Sequence, residues 1–119
     1  PILDPLHHTS FPEWLEGGFA HAQFPEIYLK FVTELAERYP WARHYTIINE
    51  PFVTAFFCGH EGIWYPYQKG GKNFVRQILN VGRAISLVSR MLAEKIPDVK
   101  LIHVDACEQH RALAPRAAE

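Results

Sequence analysis

Thr46-Ile47-Ile48 is an apolar run that stops abruptly on an amide, a carboxylate and a proline, Asn49-Glu50-Pro51. A strand that ends this way delivers Asn49 and Glu50 at its carboxyl edge, where α/β folds build their sites. Pro51 has no N–H with which to continue the ladder. The same three residues also suit a plain turn closing a strand, so the flanking segments decide what this stretch is for.

Ile2-Leu3-Asp4-Pro5-Leu6 reads as a first strand, weakened by Pro5, that opens into the loop His7-His8-Thr9-Ser10-Phe11-Pro12. Glu16-Gly17-Gly18 is turn chemistry, and Phe24-Pro25 begins a helix that Pro40 ends. Along it Ile27, Tyr28, Phe31, Val32, Leu35, Ala36 and Tyr39 recur at helical spacing and predict the core face. Glu26 with Lys30 and Glu34 with Arg38 are four-apart pairs on the other side. A second strand is expected over residues 43–48. The connection from Phe52 to Lys72 is rich in glycine and aromatics and long for a compact domain, which points to binding. Residues 52–57 within it fit either a short helix or an extended segment. A second helix is expected over residues 73–96, with Phe74, Ile78, Val81, Ile85, Val88 and Leu92 on one side. Val99 to Val104 reads as a third strand, ending again on polar groups, Asp105 and Glu108.

Strand, helix, strand, helix, strand predicts an α/β fold of parallel strands with right-handed crossovers and its chemistry at their carboxyl ends. Doubly wound sheets and barrels both satisfy that order. No Gly-x-Gly-x-x-Gly or phosphate-loop spacing follows a strand, and Gly70-Gly71-Lys72 lacks it, so a nucleotide cofactor has no support and a barrel fits better. Lys and Arg number 12 against 13 Asp and Glu, with no basic run to attract nucleic acid or an anionic membrane. The apolar segments are too short to span a bilayer. The chain is therefore expected to be soluble. Cys58 and Cys107 stand apart without metal-ligand spacing, which suits a reducing cytoplasm. Trp14, Trp41, Trp64, Tyr65 and Tyr67 fall mostly in loop-like stretches, where aromatics either pack or stack on ligands.

The ordered set Leu6-His7-His8 with Pro12, then Asn49-Glu50-Pro51, then Gly59, Gly62 and Pro66 resembles the middle of family 1 glycoside hydrolases, the β-glucosidase group, over most of the chain. The resemblance implies a partial (β/α)8 TIM barrel, roughly strands three to five with their helices, in a single domain over residues 1–119. It implies hydrolysis of O-glycosidic bonds in a β-glycoside with retention of configuration and no metal or other cofactor. Glu50 would be the general acid/base, Asn49 would bond the hydroxyl next to the reacting carbon, and His8 would bind hydroxyls of the same ring. Trp64, Tyr65 and Tyr67 would stack on the leaving part. Glycosidic oxygen leaves poorly, so one carboxylic acid must protonate it while a second carboxylate, about 5–5.5 Å away, attacks from the other face. An acid working near neutrality needs a raised pKa, which burial beside an apolar wall or a second carboxylate supplies.

The chain also departs from that pattern. Thr9 and Ser10 follow His8 where the family usually carries tryptophan and aspartate, which alters the sugar pocket. The family's nucleophile ends the seventh strand, beyond the reach of this chain, so it is expected outside it; Asp105 and Glu108 are read as hydrogen-bonding or structural. A complete barrel needs about 250 residues. The chain, which begins at Pro1, is thus expected to be a central fragment with unpaired strand edges and no turnover by itself. His-His-Thr-Ser-Phe-Pro also resembles barrels joined to a sugar-nucleotide reductase-like domain of the dTDP-4-dehydrorhamnose reductase kind. That allows an alternative in which the barrel is non-catalytic and binds carbohydrate or supports its neighbour. A metal site at His7, His8, His103 and Asp105 is disfavoured, because adjacent residues on a strand point to opposite faces.

Overall fold

The computed structural model describes residues 1–106. Its strands are β1 (Ile2–Leu3), β2 (His44–Tyr45) and β3 (Lys100–Leu101), and its helices are α1 (Phe24–Arg38), α2 (Pro51–Phe56) and α3 (Gly71–Lys95). The strands form one parallel sheet in the order β1-β2-β3, with Leu3 opposite Tyr45 and Tyr45 opposite Leu101. This is the expected alternation of parallel strands and connecting helices, but regular pairing covers only two residues in each strand. Pro5 lacks an N–H and interrupts β1. Pairing resumes further on, where His7 and Asn49 form an isolated parallel bridge. β1 and β3 are the sheet's two edges, and Ile2 and Leu101 on them remain exposed.

Helix α1 buries Phe24, Pro25, Tyr28, Val32 and Ala36, a stripe at four-residue steps. The core face is narrower than the periodicity suggests, since Phe31 is 47% and Tyr39 37% exposed. Phe31 stands about 100° round the helix from Val32 and lines a groove with Phe11, Trp14, Leu15 and Ile27 instead. The surface ion pairs also differ from expectation. Glu26 pairs with Arg83 and Glu37 with Lys95, joining α1 to α3, while Lys30 takes Glu34 at 4.0 Å. Cross-helix partners were available to these acids, and exposed pairs of either kind contribute little to stability.

Helix α3 begins two residues before the expected Asn73 and turns Gln77, Val81, Ala84, Val88 and Leu92 inward. Phe74, Ile78 and Ile85, expected on the same face, are only partly buried at its margin. Gln77 is thus a polar residue in the heart of the α3 contact, fully enclosed. Asn80 donates to the carbonyls of Phe19 and His21 at 2.9 and 3.1 Å, fastening the 3-10 turn Gly18–Ala20 to α3. Gly18, at φ 50°, leaves no room for a side chain, because a Cβ there would lie 2.6 Å from the Phe11 ring. Tyr28 crosses the core and donates its hydroxyl to the carbonyl of Ile47; burial, and secondarily Asp4, raise its phenol far above the ordinary value. Among the described residues no helix is long and apolar enough to cross a membrane.

Replacing Leu92 with Ala is expected to cost about 2–5 kcal/mol, a large share of the roughly 5–15 kcal/mol a domain has to lose, so cooperative urea unfolding should shift sharply. The exposed Leu79 serves as control; its change to Ala should move stability by less than about 0.5 kcal/mol. Burial pushes the Cys58 thiol up from 9.0 to about 12. The folded chain therefore holds a proton that the unfolded chain releases, and that contribution to stability is complete below pH 9 and lost as pH rises towards 12. In a Cys107→Ser background, stability measured by urea should decline through this window, and Cys58→Ala should remove the part of the decline that sets in near pH 9, leaving the part above pH 10 that comes from the raised phenols of Tyr28 and Tyr45.

Candidate active site

The site is assembled where β2 runs out. The N–H of Asn49 donates to the Leu6 carbonyl at 3.0 Å, and the next N–H, of Glu50, donates to the Val104 carbonyl at 2.9 Å. Consecutive amides thus hold the strand end to both neighbouring chains. Glu50 then adopts a left-handed backbone, φ 44° and ψ 59°, and its carbonyl accepts the Thr54 N–H at 2.9 Å, opening α2 with Pro51 in its first turn. Proline here stops the ladder as expected and also begins a helix. The segment whose conformation the sequence leaves open is this helix, followed by a π-helical turn, Phe57–Glu61.

His8 comes to the same place from β1, also with a left-handed backbone, φ 50°. Such a conformation costs a non-glycine residue about 1–3 kcal/mol, and finding two at one sheet edge marks the site as one imposed by its surroundings. Besides the adjacent His7, the His8 ring has three neighbours. Nδ1 lies 3.1 Å from Thr54 Oγ1, Nε2 lies 3.6 Å from Glu50 Oε2, and the Trp64 ring is 4.9 Å away, centre to centre. Trp64 in turn packs edge-on against Phe57 at 5.0 Å. Glu50 and His8 keep 32% and 27% of their side-chain surface open, so in this chain the burial expected of a proton donor is not reached.

His8, Glu50 and Trp64, singled out from sequence, do converge, with Asn49 half-buried beside Glu50. Tyr65 instead directs its hydroxyl to the Gly17 N–H at 2.7 Å, tying its loop to the turn before α1. Tyr67 and Trp14 are largely exposed. Asp105 has the expected hydrogen-bonding role, accepting from the Phe52 N–H at 3.3 Å at the start of α2. Glu108 and Cys107 lie outside the described residues. His7 and His8 do not point to opposite faces: their rings are 4.4 Å apart, because the left-handed turn at His8 breaks the strand's alternation. His7 bonds Asp4 at 2.7 Å while His8 faces Glu50. Among the described residues no group of three His, Cys, Asp or Glu is arranged to hold a metal.

Thr54 is the contact that sequence reading missed. Once Pro51 is recognised as the start of a helix, a residue four after Glu50 must share its face, and that spacing was the available signal. The loop bearing Trp64 is anchored to α3 through Gly59, where a Cβ would lie 2.9 Å from both the Phe74 Cα and the Gln77 amide nitrogen. Gln68 adds to the anchor, donating its N–H to Cys58 and accepting from Gln77 at 3.3 Å. Gly59→Ala should therefore destabilise by about 1–3 kcal/mol and shift the Trp64 fluorescence as the loop moves off α3; an unchanged emission spectrum would count against this anchor.

No protein-family model and no curated protein sequence matches the chain. Solved structures with the same fold include a family 1 glycoside hydrolase from Thermotoga maritima complexed with a cyclophellitol analogue transition state mimic. It is 22% identical over 71% of this chain and 19% of its own, with a TM-score of 0.66. The Thermotoga maritima beta-glucosidase in complex with deoxynojirimycin matches at the same identity and TM-score, over 71% of this chain and 20% of its own. A beta-glycosidase from Pyrococcus horikoshii matches over 86% of this chain and 24% of its own, at 22% identity and a TM-score of 0.71. The chain thus has the fold of part of a glycosidase barrel and spans about a fifth to a quarter of the proteins it matches.

Proposed function

We propose that this chain is the central part, roughly strands three to five with their helices, of a barrel that hydrolyses β-glycosides with retention. Glu50 is its general acid/base. The observation that supports this reading is the meeting of His8 and Glu50, side chains 3.6 Å apart, at the carboxyl edge of a parallel sheet. Solved structures with this fold hold sugar-like ligands such as deoxynojirimycin.

In the first step Glu50 gives its proton to the glycosidic oxygen as the bond to the sugar carbon breaks, while a carboxylate from the rest of the barrel attacks the opposite face. Glu50, now ionised, takes a proton from the water that releases the sugar. The rest of the barrel closes over a carboxylate that is 32% exposed in this chain and supplies the desolvation a proton donor needs. Asn49 bonds the hydroxyl next to the reacting carbon, His8 bonds a further hydroxyl, and Trp64 gives the site an apolar wall. Thr9 and Ser10, beside His8, set the sugar preference. A cytoplasmic setting suits Cys58, a free and buried thiol.

In the complete barrel, Glu50→Gln should slow hydrolysis of substrates with poor leaving groups by about 10²–10⁴-fold and leave dinitrophenyl glycosides far less affected, since these need no proton. Equal slowing of both substrate types would remove Glu50 from the acid role. No hydrolysis of either by the unaltered barrel would favour a carbohydrate-binding or supporting domain.

A further inference from the structure

Thr54 lies one helical turn beyond Glu50 on α2 and is fully buried. A buried hydroxyl proton needs an acceptor. Helical threonines commonly find one four residues back, as Thr33 does by donating to the Leu29 carbonyl at 2.8 Å. Thr54 makes a different choice. The carbonyl four residues back, of Glu50, accepts the backbone N–H of Thr54 at 2.9 Å, and the hydroxyl's partner is Nδ1 of His8 at 3.1 Å.

The direction of that bond follows from counting protons. Were Nδ1 protonated, it would donate to Oγ1, and the hydroxyl hydrogen would be enclosed with no acceptor among the described residues. With Nδ1 bare, the hydroxyl donates and both groups are satisfied. A neutral imidazole has one proton, which must then sit on Nε2.

We propose that Thr54 is a positioning residue of this site: its hydroxyl donates to Nδ1 of His8, holds the ring as the Nε2–H tautomer, and aims that N–H at the space beside Glu50. Nε2 and Glu50 Oε2 are 3.6 Å apart, too far for a direct hydrogen bond but close enough for one oxygen to lie against both. A hydroxyl is the group that fits, accepting from Nε2–H and donating to the carboxylate. The left-handed backbone at both His8 and Glu50 supports the geometry from the main chain, and Trp64 at 4.9 Å limits the swing of the imidazole. Identifying that hydroxyl as a sugar's rests on the glycosidase reading; the tautomer itself does not.

The test is NMR on the complete barrel labelled with nitrogen-15 at histidine, at about pH 8 where an imidazole is neutral. His8 is assigned by the signals lost in His8→Gln. The expected result is a single Nε2–H tautomer for His8 in the unaltered barrel and in Thr54→Ser. Thr54→Val, close in shape but without the hydroxyl, should lose that single tautomer and give a mixture. An Nδ1–H tautomer in the unaltered barrel, or a His8 spectrum unchanged by Thr54→Val, would overturn the proposal. Circular dichroism identifies a variant that has not folded, and in that event the unaltered barrel and Thr54→Ser still decide. A complete barrel inactive on glycosides, with His8 still Nε2–H and sensitive to Thr54→Val, would defeat the glycosidase reading and support this one.

Discussion

Two consecutive backbone hydrogen bonds, from Asn49 to Leu6 and from Glu50 to Val104, are the constraint on which the site depends. A middle strand has neighbours on both sides, so its end can be held from both, and neither bond can shift without disturbing the other. Because these are main-chain contacts, they fix where Glu50 begins its turn whatever its side chain does. The left-handed backbone at Glu50 and the start of α2 follow directly from that placement. A non-glycine residue does not stay in such a conformation unless its surroundings hold it there.

The helices serve this edge from behind. Val32 and Ala36 on α1, and Val81, Val88 and Leu92 on α3, form the apolar layer that keeps β2 in place. Tyr28 reaches through it to the carbonyl of Ile47, two residues before Asn49, so packing and hydrogen bonding meet within one turn of the site. Farther out, α3 holds the π-helical turn through Gly59 and Gln77 and thereby keeps Trp64 against His8. An aromatic wall that looks like part of a loop is in effect an extension of the core.

The chemistry that results is modest in its parts. One imidazole from the end of β1 lies between a carboxylate and a hydroxyl one helical turn apart at the start of α2, and each limits the freedom of the next. Thr54 satisfies its own buried hydroxyl through His8, and His8 turns its other nitrogen to Glu50. Nε2 of His8 and the Glu50 carboxylate, 3.6 Å apart, leave between them a place where a hydroxyl could accept one hydrogen bond and give another. Solved proteins with sugar-like ligands share this fold, although the match spans only about a fifth of their length.

Sequence by itself determined the alternation of strand and helix, the parallel sheet, and the appearance of Glu50 at a strand end beside Asn49. Those features are local: they follow from apolar spacing, from prolines that stop a ladder or open a helix, and from the short reach of a chain between elements. Tertiary structure decided which helical residues face inward, so Gln77 is enclosed and Phe31 is not. It also decided that Glu26 pairs with Arg83, that Tyr65 holds Gly17, and that the two adjacent histidines lie side by side. Each of these depends on what arrives from elsewhere in the chain or on a backbone turn that side-chain periodicity does not encode. The contact of Thr54 with His8, 46 positions apart, is of the same kind, created only when β1 and β2 lie side by side.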